Sequence, residues 1–128
     1  MTTQRDQHYR ELLDRFEQVA RANLETTARV SDLCRIAEIN QRTLSRAFRA
    51  VRDTTPHHYL QAMRLGEVRR VLSSGGGSVT HVAMRFGFRE LGRFAMQYRM
   101  AFGESPSETR RRSSIRARDS AVQRSAET

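Results

Sequence analysis

The sequence predicts an all-α fold in which two helix-turn-helix subdomains are joined by a long linker helix. Three observations support this prediction. Apolar residues recur at helical spacing along most of the chain, no segment shows the alternation of a strand, and one stretch of sequence is repeated. Residues 40–56 (NQRTLSRAFRAVRDTTP) and 90–106 (ELGRFAMQYRMAFGESP) align at a constant offset of 50. Such a repeat indicates one supersecondary unit that is used twice.

An N-terminal helix is expected to precede the first repeat. Residues 1–6 are expected to be disordered, and apolar spacing then predicts a helix over about 7–24. The first repeat, about residues 30–53, opens with a short helix for which Ser31 is the predicted N-cap. This short helix is expected to bury three side chains: Leu33, Ile36 and Ala37.

The second helix of the first repeat follows a turn at residues 38–39. Asn40 is its predicted N-cap, because a short polar side chain there can accept a hydrogen bond from the first turn. The helix is expected over about 41–52, with Leu44, Phe48 and Val51 facing inward.

Thr55-Pro56 is a helix start signal, since a capping residue precedes a proline at the first helical position. The linker helix is therefore expected over about 56–72, and the SSGGGS segment after it is expected to be flexible. The second repeat, about 79–103, contains a short helix over 80–86, a turn at Gly87 and a helix over 91–102. A last helix runs from Pro106 to about Arg112, and 113–128 form a basic tail that is expected to be disordered.

The charge of the chain favours a nucleic-acid partner. The formal net charge is +9, and all 23 basic residues are arginine. Arginine offers a fork of donors suited to phosphates and guanine edges, although a GC-rich genome is an alternative reason for the absence of lysine. The first 30 residues are neutral overall, so the excess lies in the repeats and in the tail. A GC-rich genome would explain why the basic residues are arginine and not lysine, but it leaves the net positive charge unexplained.

The second helix of the first repeat is the first candidate for reading DNA. Because Leu44 and Phe48 face inward, its outer face carries polar and basic side chains near the helix start, where major-groove edges are read. An ordinary solvated basic face is the alternative for an isolated helix, but the preceding short helix and the duplication favour DNA. The candidate residues are Gln41, Arg42, Thr43, Ser45, Arg46 and Arg49.

The matching helix of the second repeat has a different outer face. Gly92, Ala95 and Met96 have no side-chain donor, so they are expected to touch thymine methyl groups or to permit close backbone approach. An alternative is that Leu91 and Met96 are buried against a neighbour or a partner. The candidate DNA-binding residues are Arg89, Gly92, Arg93, Met96 and Arg99, of which the arginines are expected mainly to bind phosphate.

These residues resemble the DNA-binding domain of the AraC/XylS family of transcription regulators over about residues 7–112. The signature segment is GFRELGRFAMQYRMAFGESPSETRR, from Gly87 to Arg111, in which Phe94, Tyr98 and Ser105-Pro106 match the family pattern. The first repeat matches through Leu33, Ala37, Leu44, Arg46 and Phe48, and the linker matches through TPHHYLQAMRL.

The resemblance implies a sequence-specific regulator of transcription that inserts two recognition helices into neighbouring major grooves. It implies activation through contact with RNA polymerase, and it places base contacts on Arg42, Ser45 and Arg46 and on Gly92, Arg93 and Met96. Glu38 stands where the family commonly has glycine, and Met96 stands at a commonly polar position. Most members also carry an N-terminal effector-binding or dimerisation domain, for which 128 residues leave no room, so the chain is either a fragment or a stand-alone form.

Other functions find little support in the sequence. Cys34 lies between apolar neighbours and is expected to be a small buried residue rather than a nucleophile. His57 and His58 are adjacent and lack partners at ligand spacing, so no metal or other cofactor is expected. No catalytic pair is evident, which argues against an enzyme; a protein-interaction module that keeps the fold without specific DNA binding is the main alternative. No signal peptide or membrane span is evident, and a cytoplasmic, nucleoid-associated protein is expected.

Overall fold

A computed structural model describes residues 3–126 of the chain, which contain seven helices and no strand. The all-α fold class is therefore confirmed. The helices are α1 (Gln4–Ala22), α2 (Val30–Ala37), α3 (Gln41–Arg52), α4 (Pro56–Ser73), α5 (Val79–Arg85), α6 (Leu91–Phe102) and α7 (Pro106–Ala126). The chain divides into two compact units, of which the first ends at Arg64 and the second begins at Leu65, within α4.

The core of the first unit is built around two phenylalanines. Phe16 of α1 and Phe48 of α3 are both buried, and their rings meet edge to face with centroids 5.6 Å apart. Leu33 of α2 and Leu44 of α3 are fully buried beside them. Edge-to-face aromatic packing adds about 0.5–1.5 kcal/mol beyond the area that it buries. The outer face of α3 is thereby fixed, because its inward side chains cannot rotate out of this core.

The core of the second unit is a ladder of aromatic rings. Phe88, Phe94, Tyr98 and Phe102 follow one another with successive centroid distances of 4.8, 5.8 and 4.7 Å. The Tyr98 hydroxyl is buried and lies 2.7 Å from Thr109 Oγ1 on α7. Thr109 donates its single hydroxyl hydrogen to Glu104 Oε1 at 3.0 Å, so Tyr98 is the donor to Thr109. This chain of hydrogen bonds ties α6 to the start of α7.

Several helix ends differ from their predicted positions. Helix α1 begins at Gln4, and Thr3 Oγ1 accepts the backbone N–H of Asp6 as its N-cap. The disorder predicted for residues 4–6 is therefore wrong. Residues 1 and 2 lie outside the described residues. The predicted N-cap Ser31 is also wrong. Helix α2 begins at Val30, and the Asp32 carboxylate accepts the backbone N–H of Arg29 at 2.8 Å.

Two segments predicted to be irregular contain defined hydrogen-bonded structure. After α4, the N–H of Gly76 donates to Val71 O and that of Gly75 donates to Leu72 O, which is a Schellman end for the helix. A side chain at Gly76 would place its Cβ 2.4 Å from Val71 Cγ1, so the close turn depends on glycine there. The tail predicted to be disordered from Ser113 continues as helix to Ala126. Its arginines and alanines are good helix formers, and a formed first turn lets the helix extend without apolar spacing.

Candidate nucleic-acid interface

The turn that leads into α3 places the first candidate surface. Glu38 adopts φ 57° and ψ 46°, in the left-handed region, and the N–H of Ile39 closes the turn onto Cys34 O. Arg15 of α1 donates through Nη2 to Ala37 O at 2.9 Å and to Glu38 O at 3.2 Å. The guanidinium thus satisfies the free carbonyls at the end of α2 and holds the turn in place. Arg15 was not among the predicted site residues, because no local pattern links positions so far apart.

The start of α3 is capped as predicted. Asn40 Oδ1 accepts the N–H of Thr43 at 3.1 Å. Thr43 is itself half-buried, so of the predicted residues on this helix it offers the least side-chain surface. Buried Ile39 follows the turn, whereas Ile36, predicted to face inward, is 59% exposed. The reason is helical geometry: Leu33 and Ala37 are four residues apart and define the buried face, which Ile36 lies outside.

The outer face of α3 carries a compact group of polar side chains. Arg42 and Arg46 are one turn apart, both are exposed, and neither makes a hydrogen bond or ion pair with the described part of the chain. Arg49 makes only a loose 3.5 Å ion pair with exposed Asp53. The remaining members of this face are also exposed: Gln41 and Ser45. The structure therefore brings the predicted donors of the first repeat together on one accessible surface.

The outer face of α6 is accessible but poor in donors. Nothing lies within 4 Å of the position that a Cβ would take at Gly92, and Met96 is 62% exposed. Leu91 is 38% exposed, so the described chain covers more of this side chain than of Met96, which is largely accessible. Met100, which was not among the predicted site residues, continues this face and is 82% exposed. The cations around this face are exposed as well: Arg89, Arg93 and Arg99.

Other reactive groups of the chain lie away from these surfaces. Cys34 is buried as predicted, and burial raises the pKa of its thiol, which keeps it protonated and unreactive. Over residues 3–126, no three His, Cys, Asp or Glu side chains gather in a way that could hold a metal ion. No helix in the described part of the chain is long and apolar enough to cross a membrane.

A comparison with sequence families identifies the family to which the chain belongs. Residues 33–112 match a family described as a helix-turn-helix domain. A XylDLEGF operon transcriptional activator of Pseudomonas putida is 37% identical over 101 residues, which is 77% of this chain and 32% of that protein. The chain belongs to the AraC/XylS family. AraC/XylS proteins are transcription regulators that bind DNA rather than enzymes, and this chain is a DNA-binding domain of that type.

Solved structures agree with this assignment. A probable AraC family transcriptional regulator from Rhodopseudomonas palustris CGA009 is 32% identical, with a TM-score of 0.72 over 80% of this chain and 97% of that one. A regulator with an AraC-type DNA-binding domain from Chromobacterium violaceum is 25% identical, with a TM-score of 0.75 over 81% of this chain and 93% of that one. The chain spans about a third of the length of the Pseudomonas putida activator that it matches.

Proposed function

We propose that the chain is the sequence-specific DNA-binding domain of a transcription activator, and that α3 reads sequence more sharply than α6. The observation that carries the proposal is the outer face of α3, on which exposed Arg42 and Arg46 stand one turn apart with Ser45 between them. Each arginine can donate two parallel hydrogen bonds to a guanine edge, and the small serine allows close approach.

The second recognition helix is proposed to contribute differently. Gly92 and Met96 cannot donate hydrogen bonds to base edges, so α6 is expected to make methyl contacts and close backbone approach, while Arg89, Arg93 and Arg99 bind phosphate. Together the two helices are proposed to enter neighbouring major grooves, with half-site centres about 34 Å apart. The family pattern implies base contacts by Arg42, Ser45, Arg46, Gly92, Arg93 and Met96. Of these six, Arg93 is proposed to bind phosphate instead.

The wider function is proposed from the relatives. The matching Pseudomonas putida protein is named as an operon activator, which supports activation by the regulator to which this chain corresponds. Contact with RNA polymerase, dimerisation through a domain outside this chain, and a cytoplasmic location at the nucleoid complete the proposal. The proposed DNA binding and activation require no cofactor bound to this chain.

A protein-interaction module is the second candidate function. It gains support from the exposed apolar side chains Leu91, Met96 and Met100 on α6, which suit a protein surface as well as a DNA groove. A gel shift on random duplex DNA at two salt concentrations separates the candidates, because an interaction module has no reason to bind DNA in a salt-dependent way.

Selection of bound sequences from a random DNA pool tests the ranking of the two helices. Arg46→Ala is expected to flatten one position of the selected motif and to cost about 1–3 kcal/mol, as loss of a paired base contact does. Arg93→Ala is expected to weaken binding uniformly and to leave the motif intact. Arg10→Ala removes the same charge from exposed α1 and serves as the control. A sharp half-site that depended on Arg93 and ignored Arg46 would contradict the ranking.

A further inference from the structure

Helix α7 extends far beyond the residues that it buries. Ser113 is its last buried residue, and every described side chain from 114 to 123 is exposed. Residues 110–123 carry five arginines and a single acid, Asp119. Packing supplies most of the stability of a short helix in a protein, and this stretch has none. The exposed positive charge of residues 110–123 is therefore available to bind an anionic partner.

The arginines of this stretch are arranged around a groove. A surface groove of about 280 Å³ lies between α7 and Val79, the first residue of α5, and Arg110, Arg111 and Arg118 line it. Arg111 and Arg118 are seven residues apart, so they stand on the same face of α7, two turns from each other. Arg116 lies on the other side of the helix and is absent from the groove lining.

The groove is prepared for a ligand with several acceptor oxygens. Arg110 Nε donates to Gly77 O at 3.0 Å, which fixes its guanidinium at the rim. Arg111 and Arg118 make no hydrogen bond or ion pair with described residues, so their donors are free. The hydroxyls of Ser107 and Ser114 lie in the same lining. Forked guanidinium donors beside hydroxyl groups match the oxygens of a phosphodiester.

We propose that this groove binds the phosphate backbone of DNA next to the half-site contacted by α6. In a helix-turn-helix, the first helix crosses the backbone while the second enters the major groove. Helix α5 is the first helix of the second helix-turn-helix, and its first residue, Val79, borders the groove. The groove is therefore expected to lie beside the DNA backbone. The inference rests on the proposed DNA-binding function, and it assigns a defined phosphate site to α7.

Charge-matched variants of α7 test the site. Binding to the selected DNA is measured by gel shift over a salt series for the wild type, Arg118→Ala, Arg111→Ala/Arg118→Ala and Arg116→Ala. Each phosphate contact releases about 0.9 counterion, which is worth about fivefold in affinity at 0.15 M salt. Arg118→Ala should therefore bind about fivefold and the double variant about thirtyfold more weakly, with the salt slope reduced by about one per arginine. Arg116→Ala should stay within about twofold of the wild type, and so should Arg118→Lys, because a phosphate tolerates a point charge.

Two results would overturn the site. Equal losses for Arg116→Ala and Arg118→Ala would mean that the helix attracts DNA only through its total charge. Unchanged DNA binding by the double variant would leave an acidic protein segment as the better occupant. Ethylation interference adds a direct readout, since the wild type should be sensitive to phosphates that the double variant ignores. Failure of the proposed function looks different, because the wild type itself would then show no salt-dependent shift in any arm.

Discussion

Two residues of the first unit hold a backbone conformation that glycine holds in the second. Glu38 (φ 57°) and Asp53 (φ 51°) end α2 and α3, whereas Gly87 (φ 88°) and Gly103 (φ 73°) occupy the equivalent places after α5 and α6. A left-handed residue with a Cβ costs about 1–2 kcal/mol, and aspartate bears it better than glutamate because its short side chain can bond locally. The departure of Glu38 from the family pattern thus leaves the turn intact, with Arg15 bonded to its carbonyl.

Replacement of Glu38 by glycine is expected to stabilise the domain. The relief of strain exceeds the added entropy of the unfolded chain, for a net gain of about 0.5–1 kcal/mol in the free energy of unfolding. Asp53→Gly is the comparison and should gain less, because it also loses the ion pair with Arg49. Urea unfolding monitored by circular dichroism measures both. A lower midpoint for Glu38→Gly than for the wild type would show that the glutamate side chain stabilises the turn.

The ends of the helices could be predicted where the signal was local. Asn40 caps α3 and Thr55 Oγ1 accepts the N–H of His58, and both caps lie within three residues of their partners. The start of α2 was missed because its cap uses the backbone of Arg29 and the carboxylate of Asp32, which is half of a capping box and lacks the expected serine. The extension of α7 was missed because disorder was inferred from the lack of apolar periodicity, which measures packing and not helix propensity.

The junction between α6 and α7 contains a buried phenol whose ionisation should destabilise the second unit. Burial raises the pKa of Tyr98 above its ordinary value of 10.0. A raised folded-state pKa means that the contribution to stability is complete below about pH 10, the unfolded value, and is lost as the pH rises towards the folded value. The same holds in the first unit for Tyr59, whose pKa is raised by burial and by its hydrogen bond to Glu17.

Tyr98→Phe is therefore expected to show a smaller alkaline loss of stability than the wild type. At pH 7 the variant should lose about 1 kcal/mol, because the hydrogen bond to Thr109 is gone. Between pH 10 and 11.5 its free energy of unfolding should fall less steeply, and Tyr59→Phe/Tyr98→Phe should be flatter still. Urea unfolding at four pH values measures the trend. An unchanged alkaline slope in both variants would mean that other groups control unfolding at high pH.

The charge of the complete chain sets the salt dependence of DNA binding. The net charge of +9 is concentrated in the repeats and in α7. If about six phosphates are neutralised, the slope of log affinity against log salt concentration should be near −5. Gel shifts with one duplex between 50 and 300 mM salt give this slope. As a control, all samples in the series are buffered at the same pH. A slope near zero would show that the basic faces are not a DNA footprint.

The position of the candidate residues on outer helix faces was predictable, but the contacts that hold those faces in place were not. The internal repeat and the apolar positions Leu44 and Phe48 were enough to place Arg42 and Arg46 on an outer face. The groups that hold those faces in position come from distant parts of the chain and leave no spacing pattern. Arg15 of α1 donates a hydrogen bond to the α2–α3 turn. The carboxylate of Glu104 accepts hydrogen bonds from Thr109 and Arg112 of α7. Such contacts depend on packing, which a single sequence does not display.

The exposed thioethers on α6 have a chemical consequence. Met96 and Met100 are 62% and 82% exposed, and methionine is converted by mild oxidants to a polar sulfoxide that dedicated reductases can reverse. The outer face of α3 has no methionine, since glutamine, serine and arginine make up that surface. Oxidation of methionine would therefore alter the outer face of α6 and leave the outer face of α3 unchanged. If α3 and α6 bind DNA as proposed, oxidation would weaken the contact of α6 with its half-site and leave that of α3 unchanged, and reduction of the sulfoxides would restore binding.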